Sequence, residues 1–335
     1  MEKGTIGDTL TIENQFTKLS ARELRSLSIE QLAAYRKCER ANSLSTPPQR
    51  GKLALRKILH PLLMGVLYIY HIAKGIRIKT NGSVPKTDRP IIFSVSHIGL
   101  YDVEVILQTI KKHVYILSGD EEAMYRTFDG WYFDTNGVIY VDPEDPADRR
   151  TALNTAVKYL RLGQSLMWFP EGTWNLSPNY VILPIRYGII EAAVQANAVI
   201  IPVGLEQYDK KHGIDFIVNI GTPFDPALYF SGELTKEKKI ELAETLRGNM
   251  ARLKMDAWEA MERADIDNGY WDAFIAKRLA EWPFYTMDII RKRTFNPNGY
   301  VSEAEVFSHL SNISIGPHNA FLARIQQHTG EQLQK

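Results

Sequence analysis

The stretch Phe93-Ser-Val-Ser-His-Ile-Gly-Leu-Tyr-Asp102 is the part of the chain from which the rest can be read. Pro90-Ile91-Ile92-Phe93-Ser94-Val95 reads as a short buried strand, a proline followed by an apolar, β-rich run. The strand runs into His97, and Asp102 follows five residues on. In a continuous helix that offset would put the two side chains roughly 140° apart. They meet only if the chain turns between them, and Gly99 makes such a turn easy. A carboxylate that holds one ring N–H of a histidine leaves the other nitrogen free to take a proton. With eight histidines in the chain, a chance pair of this spacing is also expected, so the pair needs support from elsewhere.

Composition frames the rest. The chain has 335 residues, 44% hydrophobic and 24% charged, which fits a globular protein with one main domain and helical additions. The net charge of +1 says little, but its distribution says more. No acidic residue lies between Glu39 and Asp88, whereas Arg40, Arg50, Lys52, Arg56, Lys57, Lys74, Arg77, Lys79 and Lys86 all do. Cys38 is the only cysteine, so no disulfide forms within one chain, and a reducing, cytoplasmic setting is expected. The first residues carry acids and lack a long apolar core, which argues against a secretory signal. No uninterrupted run of 18 apolar residues occurs, so no membrane-spanning helix is expected.

In chain order, residues 1–20 are polar. Ser28-Ile-Glu-Gln31 is a capping box that opens a helix to about Ala41, and Ser43-Leu-Ser-Thr-Pro-Pro48 breaks it. A second helix is expected from about Gly51 to Lys74, kinked at Pro61. Its apolar centre, Leu62 to Ile69, is bordered by Arg56, Lys57, Tyr68, Tyr70 and Lys74. Cations and tyrosines around a half-length apolar run suit a helix lying in a membrane interface; packing on the main domain is the other reading. Strands are expected at Ile76–Thr80, Ile91–Val95, Val114–Leu117, Val138–Val141, Ser165–Phe169, Val199–Val203 and Asp215–Ile220. Asn81-Gly82 reads as a turn, and Trp131-Tyr-Phe133 as the lead-in to the fourth strand. Helices are expected at Tyr101–Lys112, Ala147–Arg161 and Gly188–Ala196. This alternation gives an α/β class: a central, mostly parallel or mixed sheet flanked by helices. It carries an N-terminal helical pair and a C-terminal helical extension. The implied organisation is a helical, membrane-interface segment at 1–75, an α/β domain at 76–228, and helices at 229–335. The last part includes Thr235–Ala264, an aromatic-rich stretch at Tyr270-Trp271, Phe274 and Trp282-Pro-Phe-Tyr285, and a capping box at Ser302. The basic run is interleaved with aliphatic residues, which argues against nucleic-acid binding.

A second motif, Phe169-Pro-Glu-Gly-Thr173, leaves a buried strand for a glycine turn. A carboxylate at such a strand end suits a polyhydroxyl ligand, and turn N–H groups suit an anion. A plain surface turn explains the motif alone equally well. Together with His97 and Asp102, however, the chain resembles the glycerolipid acyltransferases, the family of 1-acylglycerol-3-phosphate acyltransferase. His97/Asp102 match that family's His-x4-Asp, Phe169–Thr173 its Phe-Pro-Glu-Gly-Thr, and Ile200-Ile-Pro-Val203 its Ile-Pro-Val strand, in the same order. Pro184-Ile-Arg-Tyr-Gly188 resembles its Pro-x-Lys/Arg-x-Gly step, and the likeness covers about residues 50–225. Two cations of the pattern are missing. In Gly137-Val-Ile-Tyr-Val-Asp-Pro143 the arginine position is Pro143, and Trp174 follows Thr173 where Arg or Lys is frequent.

The resemblance implies O-acyl transfer from an acyl thioester to a hydroxyl of a lysophospholipid such as 1-acylglycerol-3-phosphate. The thioester would be an acyl-CoA or an acyl-carrier protein, serving as co-substrate with no further cofactor. His97 would be the general base and Asp102 its orienter. Glu171, Gly172 and Thr173 would position the acceptor, and N–H groups near Gly172 would meet the oxyanion. Arg186, Arg149 and Arg150 are the candidates to replace the missing cations. A non-phosphate acceptor, a hydrolase and a non-catalytic lipid-binding relative stay open. No nucleophile for a covalent intermediate stands out, and no zinc spacing accompanies His97. The resemblance also implies an acyl groove beside the His97 strand, lined from Leu62 to Tyr70. The expected location is the cytoplasmic face of a membrane, peripheral or monotopic.

Overall fold

In the computed structural model a seven-stranded sheet runs in the order β1-β7-β6-β2-β5-β3-β4. Its strands are β1 (Ile76–Asn81), β2 (Ile91–Val95), β3 (Tyr115–Gly119), β4 (Val138–Val141), β5 (Leu166–Trp168), β6 (Val199–Asp209) and β7 (Ile214–Ile220). The structure describes residues 19–43, 49–261, 269–296 and 303–308. All strand pairs are parallel except β6–β7, which forms an antiparallel hairpin. Every residue of β2 is buried, as expected for a central parallel strand covered on both faces.

Successive side chains of β2 feed two different cores, because a strand alternates its faces. Ile92 packs in one core, with residues of α6 (Pro146–Arg161), α7 (Gly188–Ala196) and α8 (Lys236–Glu259). Ile91, Phe93 and Val95 pack in the other, with α3 (Arg50–Lys74), α4 (Asp102–Ile110) and α9 (Tyr270–Glu281). Ser94, on the first face, donates its hydroxyl to Met250 Sδ of α8 at 3.0 Å. The helices after residue 229 therefore cover the same sheet that carries His97.

The remaining helices are α1 (Ala21–Ser26), α2 (Ile29–Ser43), α5 (Phe128–Asn136), α10 (Met287–Arg293) and α11 (Glu303–Phe307). The Ser28 capping box is present, with Ser28 N–H donating to Gln31 Oε1 and Gln31 N–H to Ser28 Oγ. Two elements differ from expectation. Trp131-Tyr-Phe133 lies inside α5, whose N-cap Thr127 accepts from Gly130 N–H; the cap, not the aromatic propensity, set this segment. Strand β6 runs on to Asp209 because its hairpin with β7 continues past the buried half. The breaker after Ser43 and the Ser302 capping box lie outside the described residues.

The N-terminal segment also departs from its reading. α3 is continuous from Arg50 to Lys74, with Pro61 inside it and Gly75 closing it in the left-handed conformation. By length and composition it is long and apolar enough to cross a membrane. It still contains no uninterrupted run of 18 apolar residues; scattered cations interrupt the apolar run without lowering its mean hydropathy much. Leu53, His60, Leu63, Leu67 and His71 form its buried face. Arg40 and Arg56, both counted in the acid-free basic run, are engaged internally. Arg40 pairs with Asp120 and Asp148, and Arg56 donates to Tyr115 Oη and to the Asp134 carbonyl.

Candidate active site

The parallel register of β2 and β5 builds the site. Ser94 pairs with Trp168, so His97 and Glu171 both lie three residues beyond paired positions, at the same C-terminal edge. Ligands of open α/β sheets bind at such strand ends. The chain turns after His97, and Asp102 begins α4. Asp102 is fully buried, and its Oδ2 takes three hydrogen bonds. These come from His97 Nδ1 at 2.8 Å, Ile98 N–H at 2.5 Å and Gly99 N–H at 3.0 Å. An ionised carboxylate only accepts, so Nδ1 carries the proton and Nε2 presents a lone pair. His97 remains 20% exposed at its side chain, which gives that nitrogen access to the cavity.

The loop after β5 is a socket for this histidine. Glu171 Oε1 accepts His97 N–H at 2.9 Å, and Oε2 accepts Leu183 N–H at 2.8 Å. Asn175 N–H donates to the His97 carbonyl at 2.7 Å. The imidazole stacks on Phe169 with centroids 4.3 Å apart and meets the edge of Trp174 at 6.2 Å. Glu171 is fully buried, and both oxygens are spent on backbone N–H groups. In this geometry it fixes the His97 backbone and does not face the cavity as an acceptor ligand, which corrects the sequence expectation. The pattern showed a carboxylate at a strand end; it did not show that the neighbouring loop would close over it. Burial pushes the Glu171 carboxyl up, opposed by buried Lys254 of α8 and by the two N–H donors.

Gly172 sits at φ +72°, and a Cβ there would come within 2.9 Å of Arg186 Nε. Its N–H donates to the Phe169 carbonyl at 3.1 Å within the turn, so it is not aimed at an oxyanion. Thr173 is buried and shares a 2.6 Å hydrogen bond with Tyr285 Oη, from the C-terminal helices.

His97, Gly172, Thr173, Arg149, Arg150 and Arg186 all line one cavity of about 490 Å³. Leu100, Val103, Met124 and Phe133 supply apolar wall. The expected lining from Leu62 to Tyr70 is absent, because α3 packs behind α4 and not on the cavity. Arg149 donates to the Pro143 carbonyl at 2.7 Å, which puts its guanidinium beside the residue that stands at the resembled family's arginine position. Arg186 donates to the Arg293 carbonyl at 3.2 Å. Burial, then the like charges of Arg149 and Arg293, push Arg186 down from its ordinary value. Arg150 is 63% exposed and paired with Glu191 at 2.7 Å, so it is a solvated ion pair at the cavity rim. Sequence reading missed Trp282, Tyr285, Arg293 and Phe295, which the C-terminal helices bring to the same cavity. The aromatic run at 282–285 was visible, but nothing local says which wall it covers.

Residues 75–206 match the acyltransferase family model. Over this segment the chain is similar to the acyltransferase family. The 1-acyl-sn-glycerol-3-phosphate acyltransferase of Saccharomyces cerevisiae is 25% identical over 193 residues, 54% of this chain and 62% of that protein. The alpha form from Ovis aries is 26% identical over 155 residues, 45% of this chain and 51% of that protein. The chain thus aligns with between half and two thirds of the length of these relatives. The solved 1-acyl-sn-glycerophosphate acyltransferase from Thermotoga maritima is 19% identical, with a TM-score of 0.47, covering 69% of this chain and 91% of that one.

Proposed function

We propose that the chain transfers a fatty acyl group from a thioester, acyl-CoA or acyl-carrier protein, to a lysophospholipid hydroxyl of the 1-acylglycerol-3-phosphate kind. The observation that carries this is the His97–Asp102 pair, buried on its acid side and open at Nε2 to a cavity with an apolar wall and cationic groups. The acceptor O–H attacks the thioester carbonyl while Nε2 takes its proton. The tetrahedral intermediate then collapses, the C–S bond breaks, and the thiolate leaves with the proton from the imidazolium. The product is an ester and a free thiol. Asp102 holds the tautomer throughout. Arg149 and Arg186 take the role of the cations missing at Pro143 and Trp174. Glu171, Phe169 and Trp174 are positioning groups that hold the imidazole, which is where much of a general base's effect resides.

Seating of the active site at a membrane surface is supported by α3. Ile58, Leu62, Tyr68, Ile69 and Ile72 are exposed on the face opposite its buried stripe, and Phe128 and Trp131 of neighbouring α5 are also exposed. A helix with one face packed on the domain lies along it, so monotopic seating at the interface fits better than crossing. The acid-free basic run points to the negatively charged cytoplasmic leaflet.

The test is thiol release from acyl-CoA by purified protein with a panel of lysolipids, monoacylglycerol and glycolipids, products read by mass spectrometry. Ester formed on a lysolipid supports the reading. Fatty acid released without acceptor dependence would replace it with a hydrolase, and lipid binding without thiol release with a non-catalytic relative.

A further inference from the structure

The cavity lining holds more guanidinium charge than the carboxylates paired with it neutralise. The guanidinium groups of Arg149 and Arg186 donate to backbone carbonyls, at Pro143 and Arg293, and no carboxylate among the described residues pairs with either. Arg293 ends α10, lies over the Tyr285 ring at 5.6 Å, and pairs with Glu121 through both oxygens, at 2.5 and 3.4 Å. Its Nε is buried and has no hydrogen-bond partner among the described residues. Glu191 is the next carboxylate along the wall, but Arg150 and Lys239 already hold it. Three guanidinium groups against Glu121 leave two positive charges, and guanidinium groups do not shed theirs by deprotonating.

We propose that Arg293, delivered by the C-terminal helices, completes an anion subsite with Arg149 and Arg186, and that its ligand is a phosphate monoester which displaces Glu121. This deepens the acyl-transfer reading and rests on it for the identity of the acceptor. A phosphate monoester carries between one and two negative charges near neutral pH and three strong acceptor oxygens, matching the excess. Glu121 is then a latch that occupies Arg293 until the headgroup arrives. The C-terminal helices are a wall of the acceptor site, and removing them would remove headgroup selection along with structure. The missing cations at Pro143 and Trp174 are thereby replaced from three separate elements.

The experiment uses the full chain with acyl-CoA and either lysophosphatidic acid or 1-monoacylglycerol, which lacks the phosphate. Arg293→Gln is expected to raise the KM for lysophosphatidic acid about 10- to 100-fold with kcat within about threefold, and to change the KM for monoacylglycerol far less. Arg293→Lys should recover part of the loss, and Glu121→Gln should lower the lysophosphatidic acid KM. Glycerol 3-phosphate should compete with the lysolipid in the parent and about tenfold less well in Arg293→Gln. Unchanged KM in Arg293→Gln overturns the subsite. If that variant does not fold, an unchanged KM in Glu121→Gln overturns it instead. A KM effect confined to acyl-CoA, and absent with its 3′-dephospho analogue, moves the phosphate to the donor and overturns the headgroup assignment. Should the parent release no thiol with any acceptor, acyl transfer itself fails; calorimetric binding of glycerol 3-phosphate to parent and Arg293→Gln then still decides the subsite.

Discussion

The two walls of the cavity bury charge in opposite ways. One holds Arg149, Arg186 and Arg293, propped by backbone carbonyls and one carboxylate. The other holds Glu104, fully buried beneath the cavity, and Asp129, both with carboxyls raised chiefly by burial; for Glu104 the value reaches about 8. A carboxyl escapes the cost of burial by taking a proton, and a guanidinium cannot. Glu104 is therefore neutral up to about pH 8, which suits a neighbouring hydrocarbon chain, while the arginine wall stays charged and requires a counter-anion. His97 sits in the cavity that both walls share. In the proposed reaction this contrast would orient the ligand, with its headgroup toward the arginines and its acyl chains toward Val103, Met124 and Phe133.

The largest effect comes from removing what both walls serve. His97→Ala should lower turnover by at least about 10²-fold, and as far as about 10⁴-fold, with folding intact. Equal turnover in a steady-state assay would end the general-base assignment. On the charged wall, Arg186→Gln should raise acceptor KM about tenfold or more, with a smaller change in kcat. If kcat falls and KM holds, Arg186 acts on the transition state and not on the headgroup. Below both walls, Glu171→Gln replaces one acceptor oxygen with an amide that cannot accept from both His97 and Leu183. We expect a loss of roughly 1–3 kcal/mol in denaturant unfolding and a matching fall in kcat. A stable variant with normal KM but no turnover would instead give Glu171 a direct part in the chemistry.

The smallest effect tests the acid wall. In the unfolded chain Glu104 titrates as an ordinary carboxylate near 4.5, and in the folded protein it holds its proton to about pH 8. The folded state thus binds the extra proton in that window, so its advantage is complete below about pH 4.5 and lost as pH rises through about 8. Asp129, Asp102 and the tyrosines 70, 101 and 132 face this group, and the two aspartates push its carboxyl the same way. Glu104→Gln should therefore melt at a temperature that falls less than the parent's between pH 5 and pH 9. Parallel melting curves would mean that Glu104 is ionised, and that both walls carry charge. His113, held well below its usual value at about 4 by burial, acts in the opposite sense and destabilises the parent and the variant alike below about pH 6.5.

Most of the sheet was legible because its signals are local. A proline stop, a buried β-rich run and a following helix are written in consecutive residues, and β2, β4, α6 and α7 fall close to where these signals put them. The dyad was legible for the same reason: five residues and one glycine suffice to bring His97 and Asp102 together. Glu171 was visible as a functional position, yet its role was misjudged. Whether its oxygens meet a ligand or two backbone N–H groups depends on the parallel register of β2 with β5 and on the fold-back of residue 183. α3 shows the same split. Its length and apolar content are in the sequence, but which face is covered depends on α4 and α5.

The order of residues by itself determined the α/β layering, the His97–Asp102 pair and the absence of arginine at Pro143 and Trp174, since each is a matter of short spacing or plain identity. Tertiary structure alone decided that Arg293 crosses from the C-terminal helices to face Glu121, and that Glu171 turns inward. The physical reason is range. Spacing constrains groups a few bonds apart, whereas the balance of charge in a cavity is set by side chains more than a hundred residues apart that meet only once the sheet has been covered on both faces.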